Sequence, residues 1–208
     1  MVSQSRSLWA RARGYAFFDV MKYSIRNSHL DLCQYLLEEG HPRDDSLFID
    51  AVISGEPLVL YWCKEESIPV HPHGIVYASM LGKIPIVRIL INEFDAEITE
   101  LELNAAIHEG QRDLVMWFFN DNDDDDDEGP LAHNIELAKV CADISGTILD
   151  FVLLDFIYSK FELSYYILPI LAACDKASTF GEKRSISDLI LKYEISVDLD
   201  ILQTILDS

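Results

Sequence analysis

The sequence predicts an all-α chain, a right-handed stack of about six helix pairs, and three observations carry that reading. One phrase recurs four times between Met21 and Phe119: residues 27–37, 54–64, 81–91 and 109–119 align on Ser28, Gly55, Gly82 and Gly110, which stand 27, 27 and 28 residues apart. Apolar or aromatic residues follow each anchor at fixed offsets: Leu32, Val59, Ile86 and Leu114, then Cys33, Leu60, Val87 and Val115, then Leu36, Cys63, Leu90 and Phe118. Offsets of four, five and eight share one face of a helix. Upstream, Ser24, Ala51, Ala78 and Ala106 keep a small residue four places before each anchor, and Met21, Phe48, Ile75 and Leu103 an apolar one seven places before. Small residues on a helix face let a second helix approach closely. A fixed period of this size with two helices per unit is the mark of a solenoid.

The phrase resembles the ankyrin repeat, L-H-x-A-A-x-x-G-H-L-x-V-V-x-L-L-L-x-x-G. The match is closest over Ser28-His29-Leu30-Asp31-Leu32 and Tyr35-Leu36-Leu37-Glu38-Glu39-Gly40, and it covers about half the chain. A typical repeat has about 33 residues, so each unit lacks roughly half a dozen, and the opening Thr-Pro is absent. The missing length belongs to the β-hairpin finger, which leads us to expect short turns instead, as in divergent ankyrin arrays similar to those of giant viruses and amoebae. The resemblance implies an interaction module, viral or host-directed, without catalysis, and a structural role for His29 in hydrogen bonding between turns.

Taken in order, residues 1–14 have no periodicity and read as a disordered arm or the start of a cap. Four repeats fill 15–119. The first inner helix begins around Tyr15 and ends near Arg26, with its outer partner near 29–39 and Gly40 as a left-handed stop. Asp44 or Asp45 caps the second inner helix, giving a pair at 46–54 and 57–66 with Pro57 in the first turn, where a missing N–H costs nothing. The third pair falls at 73–81 and 84–92. Thr99 and Glu102 have capping-box spacing and open the fourth, at 99–108 and 111–119. Residues 120–130 (NDNDDDDDEGP) form an acidic loop that can bury nothing. Residues 131–208 read as two degenerate repeats plus a capping helix from Val197 to Leu206. The fifth pair is expected at 131–144 and 147–160, aligned on Ala142 and Gly146, a frame that puts Asp150 at a core position unless it slips by one. The sixth is expected at 163–176 and 184–194, with an insertion at Ser178 to Gly181.

The formal net charge is −20, and it is uneven. Residues 1–28 carry +4, whereas residues 93–128 hold fourteen carboxylates against Arg112 alone. Such a field repels nucleic acid and anionic membrane and attracts basic partners. No apolar run reaches the ~18–20 residues of a membrane span, and Met1 to Gly14 lacks the apolar core of a secretory signal. Cys33 and Cys63 fall at core offsets and no C-x-x-C occurs, so all four cysteines read as free thiols in a reducing, intracellular compartment, cytoplasmic or nuclear.

A search for chemistry finds no catalytic motif, no phosphate loop and no cofactor site. His71 and His73 flank a proline with no third metal ligand spaced to join them, and the acidic run fails the EF-hand pattern because Ile135 occupies the twelfth place. The aromatic column Tyr35, Trp62 and Trp117 reads as inter-helix core. The surface that remains is the inner-helix face. Counted from the anchors, its exposed columns are Tyr23, Asp50, Tyr77 and Ala105, and Arg26, Ile53, Met80 and His108. Tyr, Arg and Met are enriched at interfaces, so Tyr23, Arg26, Asp50, Ile53, Tyr77, Met80 and His108 are the candidate partner-binding residues. The expected function is a non-catalytic scaffold holding another protein on that concave face. The alternative is an acidic chaperone or nucleic-acid mimic that masks a basic protein with residues 93–128. Neither reading needs a metal or cofactor, and neither specifies an oligomeric state.

Overall fold

The computed structural model describes residues 17–120 and 129–197, apart from the side chains of Phe17 and Phe18. Among these residues lie twelve helices and no strand. The fold is all-α, as the periodicity requires. No described helix is long and apolar enough to cross a membrane. The expected arm at 1–14 and most of the expected cap at Val197 to Leu206 fall outside the described residues.

The chain divides into two compact units, residues 1–97 and 98–208. The first holds α1 (Phe17–Arg26), α2 (Leu30–Glu38), α3 (Ser46–Ser54), α4 (Pro57–Glu65), α5 (Gly74–Met80) and α6 (Ile84–Phe94). Consecutive helices pair as α1 with α2, α3 with α4 and α5 with α6; α1, α3 and α5 also pack in succession, as do α4 and α6. The small-residue column explains the inner row. Ser24, Ala51 and Ala78 are fully buried between neighbouring inner helices, and Ser24 satisfies its hydroxyl on the Val20 carbonyl at 2.6 Å. The outer helices turn Leu32, Cys33, Leu36, Val59, Leu60, Cys63, Ile86, Val87 and Leu90 inward, each nearly or wholly buried. Cross-repeat cations fasten the outer ends. Arg43 reaches the Glu66 carbonyl at 3.2 Å and its carboxylate at 3.0 Å, and Lys64 reaches the Glu93 carbonyl at 3.1 Å and its carboxylate at 2.8 Å. A cation at a helix C-terminus also meets the negative end of the helix dipole.

The second unit repeats the scheme with α7 (Glu100–His108), α8 (Arg112–Phe118), α9 (Ile135–Thr147), α10 (Phe151–Phe161), α11 (Leu168–Lys176) and α12 (Phe180–Lys192). Inner helices α7, α9 and α11 pack in succession, as do outer helices α8, α10 and α12. The expected capping box is present: Thr99 accepts from the backbone of α7 while Glu102 accepts from the Thr99 N–H at 2.9 Å.

The repeat anchors are helix stops. Ser28, Gly55, Gly82 and Gly110 all have left-handed backbone, with φ of 57°, 72°, 65° and 71°. Three of the residues that follow them, His29, Lys83 and Gln111, donate their N–H back to the carbonyls of Ser24, Ala78 and Ala106. This is the Schellman closure, and it explains why glycine recurs at the anchor.

The same geometry corrects the fifth repeat. Its left-handed residue is Leu149 (φ 61°), and Asp150 donates to the Ser145 carbonyl at 2.8 Å. The anchor is therefore Leu149 rather than Gly146, three residues later, and the helices run 135–147 and 151–161 instead of 131–144 and 147–160. In this frame Leu153, Leu154 and Ile157 take the core offsets, all essentially buried. Asp150 becomes the N-cap of α10, accepting from the Leu153 N–H at 3.2 Å. The sixth outer helix also starts earlier than expected. Thr179 and Glu182 form a second capping box at the foreseen insertion, and α12 begins at Phe180.

Thirty-nine residues now separate Gly110 from Leu149, an excess of eleven over the 28-residue period, which equals the length of segment 120–130. The segment accounts for its own length. Residues 121–128 lie outside the described residues, but their flanks meet: the Gly129 N–H donates to the Asn120 carbonyl at 2.8 Å, and Leu131 donates to Phe118 at 2.7 Å. Deleting Asp123 to Asp127 would turn the Asn120–Gly129 bond into an i to i+4 turn, a known closure, and would relieve like-charge repulsion. We expect that variant to fold with an equal or higher melting temperature at low salt. A drop of more than a few degrees would mean that the run supports the fold.

Candidate interaction surface

The first unit presents its inner face through α1, α3 and α5. Adjacent helix axes pack about 8–10 Å apart, so the face spans roughly 20 Å from α1 to α5. Tyr23 on α1 is 62% exposed and Tyr77 on α5 is 39% exposed. Ile53 and Met80 are half-buried beside them on α3 and α5. Tyr23 makes one ring contact and one backbone contact. Its ring meets His29 at 6.2 Å, and its carbonyl accepts from the Asn27 side chain at 2.8 Å. His29, expected to make inter-turn hydrogen bonds, instead sits at the N-cap of α2 without a side-chain cap bond.

Asp50 departs from the expected exposed column. It is only 6% exposed and accepts from Arg26 Nε at 2.7 Å. The reason lies in packing. The −5 position of α3 faces α1, and the carboxylate is buried where an arginine one repeat earlier can reach it. A buried carboxylate needs such a partner. Arg26 keeps 38% of its side chain exposed, so the pair presents a guanidinium to solvent in a fixed orientation. Arg26 shares α1 with exposed Tyr23, and Tyr77 is exposed on α5; a pre-organised guanidinium has N–H donors left for acceptors in solution.

His108, the remaining candidate, is exposed on α7 and belongs to the second unit. That unit has a counterpart ion pair which the sequence did not single out: Arg112 Nε donates to buried Asp150 at 2.7 Å. The one signal was Asp150 at a core position in the expected frame, a misfit resolved when the anchor moves to Leu149 and Asp150 becomes a cap. A second polar cluster braces α10 and α12. Tyr193 donates to Asp155 Oδ1 at 2.7 Å, and Lys192 reaches the same oxygen at 2.5 Å. Burial raises the Tyr193 hydroxyl's pKa, which keeps it a donor rather than a base.

The cysteines sit in or beside the core. Cys33, Cys63, Cys141 and Cys174 are free, the first three buried. Burial pushes each of those three thiols up to about 12, so they act as small hydrophobes at neutral pH. A raised folded-state pKa contributes stability that is complete below the unfolded value of 9.0 and is lost as pH climbs toward about 12. The urea midpoint should therefore fall between about pH 9 and about pH 11, and fall less in a Cys33→Ala, Cys63→Ala, Cys141→Ala variant. Equal slopes would contradict the burial. His71 and His73 contact each other, with rings 5.6 Å apart. Among the described residues no group of three His, Cys, Asp or Glu side chains is arranged to hold a metal ion. The expected aromatic core column is only partly one: Trp62 is buried, while Tyr35 and Trp117 are half-buried.

No protein-family model, curated protein or solved structure matches this chain.

Proposed function

We propose that the chain is an ankyrin-like helical-repeat solenoid that acts as a non-catalytic binding module, with the inner-helix face of its first unit holding another protein. The observation that carries this reading is the Arg26–Asp50 pair, set on packed inner helices that also expose Tyr23 and Tyr77. Aromatic rings bring large contact area at little entropic cost, and the fixed guanidinium adds direction. The left-handed anchors at the 27- and 28-residue period support the ankyrin-like reading, and the short turns between helix pairs stand where that family has its fingers. The partner it favours offers apolar groups for the tyrosines and carbonyl or carboxylate acceptors for Arg26.

A matched pair of tyrosines provides the test. Tyr77 on α5 and Tyr61 on outer helix α4 are almost equally exposed, 39% and 40%. With a photo-crosslinking residue at each site in turn, the native partner should be trapped at Tyr77 and not at Tyr61. Trapping at both sites, or at Tyr61 alone, would refute the inner-face assignment. The acidic run supports a second reading, a mask for a basic protein. In that case deletion of Asp123 to Asp127 should abolish capture, and capture by the intact chain should weaken steeply as salt rises.

A further inference from the structure

The outward face of α12 carries Phe180, Arg184, Asp188 and Leu191, spaced four, four and three residues apart and so aligned in one stripe. Opposite them, Ile186, Leu189 and Ile190 are buried in the second unit. The stripe is open along its whole length: Phe180 is 83% exposed, Leu191 76%, and the side chains of Arg184 and Asp188 are 74% and 70% exposed. Phe180 and Leu191 are thus large exposed apolar side chains at the two ends of the stripe, with the charged pair between them. The order is apolar, cation, anion, apolar.

That order is its own complement when reversed. We propose that α12 is a self-association surface that pairs antiparallel with α12 of a second copy of this chain. A two-fold axis near Ile186 sets Phe180 against Leu191 of the other copy and Arg184 against Asp188 of the other copy, each contact occurring twice. The register agrees from both pairs. The midpoint of 180 and 191 and that of 184 and 188 lie within half a residue of each other. Within one chain the Arg184–Asp188 pair is loose, at 4.0 Å, so both groups are free to turn toward a partner. A parallel pairing would instead set like charges against each other in every register that keeps the apolar ends in contact with themselves. One helix face buries less than the about 1,600 Å² of a stable complex. The dimer is therefore a weak one, forming at micromolar to millimolar concentration.

Charge reversal tests both the surface and its direction. In sedimentation velocity at about 0.15 M salt, where screening reaches about 8 Å, the intact chain should shift toward dimer between ~10 µM and ~1 mM. Arg184→Glu and Asp188→Lys should each stay monomeric over that range, because each sets like charges face to face across the axis. Mixed together, the two variants should associate again. The glutamate introduced at position 184 of one copy then meets the lysine introduced at position 188 of the other, and the unaltered Asp188 meets the unaltered Arg184. Circular dichroism of each variant confirms that it is folded, as expected for solvated sites. An intact chain that stays monomeric to ~1 mM overturns the proposal. So does self-association that survives either single reversal, or a mixture that fails to recover it.

Discussion

Gly146→Ala is expected to lower the melting temperature by about 6–12 °C, from a loss of about 3 kcal/mol at about 2–4 °C per kcal/mol for a chain of this size. The residue lies inside α9, and a methyl group there would come within 2.3 Å of the Pro169 carbonyl oxygen and 2.9 Å of its Cα. Those atoms are backbone at the start of α11. They cannot rotate aside, so the two inner helices must separate. Gly181→Ala, at the opposite extreme, places its methyl group 4.0 Å from the nearest side-chain atom in open space on α12. There alanine only reduces the freedom of the unfolded chain, and a gain of about 0.4–1 kcal/mol is expected. One substitution type thus gives opposite signs in one helical unit. If Gly146→Ala melts within a degree of the parent, the close approach of α9 and α11 is wrong.

Phe48→Ala should cost about 3–5 kcal/mol. The ring is fully buried on α3 and packs edge-on against Phe94 at 5.2 Å. It also fills the space beside Gly74, where an added Cβ would lie 2.8 Å from the ring. Gly74→Ala alone should therefore destabilise, yet in the Phe48→Ala background it should be neutral or stabilising, because the cavity receives the methyl group. Contacting residues typically couple by about 0.5–3 kcal/mol. Additive losses in the double variant would show that the two residues do not share that space.

Much of the architecture was legible because its signals are local and repeated. Apolar offsets of four, five and eight after each anchor, and the small and apolar residues four and seven places before it, placed eight helices of the first four repeats within a few residues of their observed bounds. The capping residues Thr99 and Glu102 and the first-turn Pro57 could be read directly, since a cap depends only on residues within one turn. The inner face, with Tyr23 and Tyr77 exposed, followed from the same counting.

What the chain by itself determined, then, is its all-helical character, its period and the faces that the period aligns. What only the tertiary structure decided is what happens where two helices meet. Asp50 is buried because α1 brings Arg26 over it, a contact 24 residues away along the chain. Gly146 attracted the repeat frame as a glycine, but it is there to let Pro169 approach, while the left-handed turn three residues later falls on Leu149. Glycine serves both a left-handed turn and a close approach, and the two uses look identical in a sequence. The α12 stripe was hidden in the same way: its period is visible only once the Thr179 cap shows that the helix starts at Phe180. Helical period is written in neighbouring residues, whereas burial, pairing and close approach depend on distant ones whose separation is set only when the layers pack.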